Sequence, residues 1–547
     1  MKKIGKKILA MILTGTMVLN MAACGSDSTD TKTTVNNDTE ATTKAAGDAA
    51  TEADEDTSDT AATDTMDTSK AVTITMLTLG NKPTNGRMEA VMEKVNELLS
   101  EKINTTLELV YIEWADWQTQ YNLALAGGDT SYDLIATATD WLDAWPNTKK
   151  GAFMVLSEDM LQTYAPETWA TVESWDDCKY KGEIYFIPED NYNQYTNHGI
   201  FYRGDWADEA GVGVITSFDQ LGEYFQYIID KKEGVIPWDV PGTIANGNAL
   251  AGGYVQSTTS GIVIDGAQIG TSTIYYGTSA DDPYTIYSPY MDGDTFEKFA
   301  VMMKEWADAG YWRQDVLNFD GEMRELFYTG TSGADQHHSQ TFYGEVKVSM
   351  DTKQEGSDAR MFSFSLPSEN LVKTCITHGA MAVSNFSQNA ERALMVYDLL
   401  RNDKEIYTYF NYGIEGVDYV MIDENTFDRP DGWDKTLDAL DTNFWWGRND
   451  DLEMINNQDW EGKADMIAEY DTYAIDYPYS KLVVDTSAVE TQIAAMSDVC
   501  ASWIPRIAFG KVDDPAAAVA SFREEMIAAG YNEVLESFQS QMEEVYQ

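Results

Sequence analysis

Apolar and polar residues fall into distinct regimes along this chain. A largely apolar run from Ile8 to Leu19 follows the basic start Lys2, Lys3, Lys6 and Lys7. From Gly25 to Ser69 there is no aromatic residue, and Thr, Ala, Asp and Ser dominate. Beyond residue 70 the apolar positions become periodic. Val72, Ile74 and Met76 alternate with Thr73 and Thr75, which predicts a strand. Met88, Val91, Met92, Val95, Leu98 and Leu99 repeat at helical spacing and form one stripe. Leu107 to Ile112 predicts a second strand, Tyr121 to Ala126 a helix ending at Gly127-Gly128, and Asp133 to Ala136 a third strand. Strands alternating with helices imply a parallel sheet with crossovers.

Later segments carry helix-start signals. Ser217 with Gln220, and Asp294 with Glu297, predict capping boxes. Asn389 to Leu400 is amphipathic, and the tail from Asp514 predicts helix to its end. A calcium loop at Asp292-Gly-Asp294 is disfavoured, because Phe296 stands where a ligand is expected.

Composition changes the picture of the first 70 residues. Gly25 to Ser69 holds 12 Asp and Glu against 2 Lys. Such a segment cannot bury enough apolar surface to offset chain entropy, and it predicts a disordered acidic tether. Basic, apolar and then small residues are the layout of an export signal, and the run is too short to span hydrocarbon. Met21-Ala-Ala-Cys24 resembles the lipobox of bacterial lipoproteins. The resemblance implies a signal peptide over 1–23, a lipid on Cys24 and a tether over 24–70. The rest then works on the outer face of the cytoplasmic membrane, held there by its lipid alone.

The formal charge is −54. A chain this acidic repels phosphate backbones, so no nucleic-acid partner is expected. Cys24, Cys178, Cys375 and Cys500 form no CxxC pair and no disulfide framework. Buried thiols or a single disulfide among the last three both remain open. No HExxH, P-loop, GxSxG or GxGxxG motif occurs, so no catalytic residue, metal or cofactor is assigned.

About 480 residues exceed one ordinary core, so two or more closely joined domains are expected. Several segments then resemble, in order, one family: Leu123-Ala-Leu-Ala-Gly-Gly-Asp-Thr-Ser-Tyr-Asp133, Lys181-Gly-Glu-Ile-Tyr-Phe-Ile-Pro188, Phe201-Tyr-Arg-Gly-Asp205 with Trp206, Glu391 to Asp403, and Tyr412 to Tyr419. These resemble the carbohydrate-type solute-binding lipoproteins of bacterial ABC importers. The resemblance implies an α/β, two-lobed periplasmic-binding-protein fold of type II, with a ligand cleft between lobes joined by hinge strands. It places lobe 1 in 71–195 plus about 380–412, and lobe 2 in 196–379 plus about 413–547. Crossings are expected near Asn191 to Ile200, near Ile376 to Ser384, and after Tyr412. It implies a monomeric receptor that takes an oligosaccharide and hands it to ABC permease subunits.

Sugars offer flat C–H faces to aromatic rings and hydroxyls to carboxylates, amides and guanidinium groups. With 15 Trp and 31 Tyr the chain is well supplied. Candidates are aromatics in segments expected to be cleft loops. Trp114 and Trp117 follow the second strand. Asp140, Trp141 and Trp145 follow the third, at the strand ends where α/β sheets bind ligands. Asn191, Tyr192 and Tyr195 lie at the presumed hinge. Trp238, Tyr254, His337 and His338 lie in irregular second-lobe segments, and Trp445, Trp446 and Arg448 pair indoles with a guanidinium. Trp306 and Trp503 read as core. Two other functions fit the same composition: a surface glycoside hydrolase, which needs a pair of suitably spaced carboxylates, and a peptide-binding importer component.

Overall fold

The structure is a computed structural model describing residues 67–114, 117–126, 132–189, 195, 197–440 and 444–546, except the side chains at 118, 435, 436, 444 and 445. Its first sheet grows from the predicted βαβαβ run. Val72–Leu79 pairs in parallel with Thr105–Ile112 on one side and with Leu134–Thr137 on the other. Its second half is buried on both faces, as a central parallel strand should be. The helix Arg87–Ile103 buries Met88, Val91, Val95 and Leu99, the heart of the expected stripe.

Two later strands complete this sheet. Ala380–Val383 lies antiparallel to Leu134–Thr137, and Ile187–Pro188 lies antiparallel to Ala380–Val383. In this register Ala380 faces Thr137. The residues just after the one strand therefore meet those just before the other.

A second sheet consists of Ala334–His338, His198–Arg203 and Ala359–Ser363, all antiparallel. It borders a separate core, built with the helices Phe218–Lys231, Ile244–Thr258, Thr295–Ala309, Glu490–Ala508 and Pro515–Ala529. The two largest cores among the described residues are thus distinct, and the chain passes between them repeatedly. The first passage falls between Pro188 and His198, and the second between Ser363 and Ala380.

Beyond Tyr412, the residues Tyr419, Phe427 and Trp446 still pack in the first core. Tyr412 packs edge-on to Phe427 at 5.3 Å and to Tyr419 at 6.4 Å. Its hydroxyl also accepts the Met454 N–H at 2.9 Å. A small sheet of Val420–Met421, Thr426–Asp428 and Ile455–Asn456 is thereby held on the first lobe. Only beyond it does Trp460 reach Phe342 of the second lobe, at 5.6 Å.

Cap geometry divides the two predicted boxes. Ser217 Oγ accepts the Gln220 N–H at 3.3 Å. Asp294 makes no cap bond, because its carboxylate pairs with Lys298 at 2.9 Å. The tail is two helices rather than one, Pro515–Ala529 and Tyr531–Tyr546, broken at Gly530 with φ +109°. Cys178, Cys375 and Cys500 are buried, and none of them forms a disulfide. Among the described residues no helix is long and apolar enough to cross a membrane.

Arg392 fastens the start of the described region. Its guanidinium donates to the carbonyls of Asp67 and Ile103 at 2.7 Å each, and to Thr105 Oγ1 at 2.9 Å. The chain therefore enters at the N-terminal ends of the parallel strands, opposite the end that carries Asp140.

Candidate functional site

The antiparallel register between Leu134–Thr137 and Ala380–Val383 builds the centre of the site. It continues past both strands, with Thr139 N–H donating to the Thr377 carbonyl at 3.1 Å. The next side chains then meet: His378 Nδ1 lies 2.6 Å from Asp140 Oδ2. Trp141 Nε1–H donates to the His378 carbonyl at 2.9 Å, which fixes the indole beside the pair.

Trp141 is the hub of four tryptophans. It stacks on Trp114 at 6.2 Å and on Trp446 at 5.9 Å, and meets Trp117 edge-on at 5.3 Å. Trp446 is fully buried and backs the cluster, while Trp114, Trp117 and Trp141 remain partly exposed. Rings that support one another on one side and face solvent on the other form a ready stacking surface.

Beside this cluster lies a cavity of about 260 Å³. The first lobe contributes Asp140, Trp141, Asp143 and Trp145 to it, and the second contributes Asp265 and Gln268. Cys375 and Thr377 come from one passage between the cores, and Tyr477 and Tyr479 lie beyond another. Ligand filling this space would touch both lobes.

Charge in the cavity is coupled. Burial pushes the Asp265 carboxyl above the usual range; the Asp140 charge adds to this, while His378 and the Tyr477 hydroxyl oppose it. Burial alone would lower His378, but Asp140, Glu189 and Asp265 outweigh it and the imidazole is raised. Glu189, 4% exposed, is pushed up to about 8 by burial, against the pull of His378, Arg448 and Arg401. Among the described residues, Asp140 Oδ1 and Glu189 Oε1 are buried without a hydrogen-bond partner.

The expected site residues divide in space. Trp114, Trp117, Asp140, Trp141, Trp145 and Trp446 gather at or beside the cavity. Trp145 is mostly buried and packs on Phe186 at 4.6 Å. Arg448 lies near enough to act on Glu189, but its Nε–H bonds Asp450 at 2.8 Å. Tyr195 is buried in the first passage between the cores, with its hydroxyl on Asp471.

Trp238 is placed elsewhere. It is fully buried in the second core, with its indole N–H 3.2 Å from Met323 Sδ. Tyr254 packs on Phe218 and Phe299 at 5.3 and 5.4 Å, beside an outer groove with Asp294 and Lys298. His337 and His338 join His198 in the second sheet, the first two rings 4.2 Å apart, and do not line the cavity. Asn191, Tyr192, the Trp445 side chain and Cys24 lie outside the described residues.

Asp265, Tyr477, Thr377, His378 and Glu189 were not among the candidates. His378 carried a usable signal, as one of 4 histidines just before a strand. Asp265 carried none, being one of 91 acidic residues. Among the described residues no group of three or more His, Cys, Asp or Glu is placed to hold a metal ion.

Residues 82–404 match the family described as bacterial extracellular solute-binding protein, and residues 478–547 match a domain of unknown function, DUF3502. A carbohydrate ABC transporter substrate-binding protein of Streptococcus pneumoniae serotype 4 (strain ATCC BAA-334 / TIGR4) is 23% identical over 497 residues, covering 86% of this chain and 90% of that protein. The crystal structure of an N-glycan transport solute binding protein (NgtS) from Streptococcus pneumoniae aligns with TM-score 0.68 at 19% identity, over 87% of this chain and 99% of that one. An HMO-binding, ABC-transporter-associated solute binding protein from Bifidobacterium longum infantis aligns with TM-score 0.64 at 14% identity, over 86% and 99%.

Proposed function

We propose, given that this chain belongs to the bacterial extracellular solute-binding protein family, that it captures an oligosaccharide between its lobes and delivers it to the permease of an ABC importer. The observation that carries this reading is the cavity itself. One wall presents the partly exposed indole of Trp141, supported from behind by other tryptophans, beside the Asp140 carboxylate, and the other presents Asp265 and Tyr477. Rings of a sugar stack on the first, and their hydroxyls donate to the acids. A ligand that contacts both lobes favours the state in which they are close, and this differential contact drives closure. The similar proteins whose names mention a carbohydrate transporter, N-glycan and HMO support a glycan over a peptide.

Calorimetry with a panel of oligosaccharides, and with amino acids and short peptides as controls, tests the reading. The expected result is micromolar binding of at least one oligosaccharide without turnover. Continuing heat from bond cleavage assigns a glycoside hydrolase instead. A response to peptides alone discards the carbohydrate.

We further propose that Cys24 carries the lipid that holds the protein outside the cell. The described chain begins at Asp67, which Arg392 holds at the end of the sheet opposite the one that carries Asp140. Cells fed radiolabelled palmitate should label the parent protein and not Cys24→Ser; label on the variant refutes the anchor.

A further inference from the structure

The cavity between the lobes carries a sign as well as a shape. Among its described lining residues are Asp140, Asp143 and Asp265, and no lysine or arginine. Two of these acids come from one lobe and the third from the other. Three cations near the cavity have partners of their own. Lys149, from the helix that forms part of one wall, donates to the Val484 carbonyl at 2.8 Å. His378 is bonded to Asp140, and Arg448 to Asp450.

Two observations then point to the class of ligand. Asp140 Oδ1 is buried beside Trp141 without a partner, an acceptor in need of a donor. A sugar hydroxyl supplies a donor, whereas a carboxylate, sulfate or phosphate supplies only acceptors. An anionic group entering here would lose its water and meet acidic side chains on both walls, with no guanidinium in the lining to bind it bidentately.

We propose that this cavity selects uncharged glycans and rejects their anionic counterparts, with Asp140, Asp143 and Asp265 as the selecting groups. The proposal rests on the oligosaccharide reading and adds the charge class of the ligand. Rejection acts locally, from both walls at once. It is therefore distinct from the repulsion by the overall charge of −54, which salt screens beyond about 10 Å. Asp265 is the more informative group to change. It acts on His378 through charge and bonds the Tyr477 hydroxyl, and so can be made uncharged without breaking the Asp140–His378 bond.

The test is calorimetry on the full chain with probes matched in skeleton and differing in charge. One pair is a biantennary N-glycan with and without terminal sialic acids. Another is mannan and mannuronate oligomers. The expected result is that the uncharged member of a binding pair has an affinity about 100-fold higher. Asp265→Asn removes one acceptor of sugar hydroxyls for both members, and should still bring that ratio down by about tenfold because the anionic member gains relative to its neutral twin, with the ratio in the parent largely preserved at high salt. An anionic member that binds as tightly as its neutral twin overturns the proposal and leaves the oligosaccharide reading standing. A ratio unchanged in Asp265→Asn, or abolished by salt in the parent, overturns the role of the cavity acids. Absence of binding by every glycan of either charge overturns both readings together.

Discussion

Replacing Trp141 by alanine lowers affinity for the captured oligosaccharide by about 100-fold, or about 3 kcal/mol. The size follows from the position of the ring. Trp141 stacks on Trp114 and Trp446 and meets Trp117 edge-on, so its removal takes away one stacking surface and unsettles the others. It also leaves the His378 carbonyl without its indole donor, beside the Asp140–His378 pair. Trp141→Phe keeps a ring but not the N–H, and should lose about tenfold, or about 1.4 kcal/mol. Titration of both variants measures this, with near-ultraviolet circular dichroism to show that the rest of the cluster persists. Affinity within a factor of two of the parent would move the ligand away from this wall. The His198, His337 and His338 group would then be the next place to look.

Replacing Arg401 by methionine destabilises the protein by about 3 kcal/mol. Arg401 is 1% exposed. Its guanidinium donates to the Pro188 carbonyl at 2.8 Å, the Glu189 carbonyl at 3.1 Å and the Tyr397 hydroxyl at 3.3 Å. Methionine fills similar volume but leaves those carbonyls buried without this donor. The bonds also tie the helix Ala390–Asn402 to the last residues before the first passage between lobes. The variant should therefore unfold at lower urea concentration.

Glu189 adds a pH signature. Its carboxyl, near 8 in the folded protein and about 4.3 in an unfolded chain, is a raised acid. It costs no stability below the unfolded value, and its cost grows until pH passes the folded value. Arg401 is one of the charges that hold Glu189 down, so its loss raises the folded value further. Below about pH 8 Glu189 is largely protonated in both proteins, and the deficit of the variant stays level. Above it the deficit widens. A midpoint unchanged within about 0.5 kcal/mol, or a deficit that narrows with rising pH, contradicts this account.

Both variants touch residues whose local sequence had different legibility. Trp141 was visible because a strand pattern precedes it, and parallel α/β sheets place their loops at strand carboxyl ends. The alternation of Val72, Ile74 and Met76 and the stripe from Met88 to Leu99 were equally readable. They depend on periods of two and of 3.6 residues, which the chain displays without reference to anything distant.

Identity alone did not separate cleft from core among the aromatics. Trp238 and Trp141 are the same side chain in similarly irregular segments, yet one is fully buried against Phe509 and Met323 while the other backs a cavity. The burial of a loop residue depends on which element covers it, and that element is often more than a hundred positions away. The same reason hid the path of the chain after Tyr412. Nothing near Tyr412 announces that Phe427 and the Met454 N–H will hold the following turns on the first lobe. Local periodicity was enough to determine the strand and helix run that opens the folded region, and the ordered segments were enough to indicate its family. Only the tertiary structure decided that Asp140 meets His378 and faces Asp265, because an antiparallel register and a second lobe bring together acids that in sequence are indistinguishable from the rest.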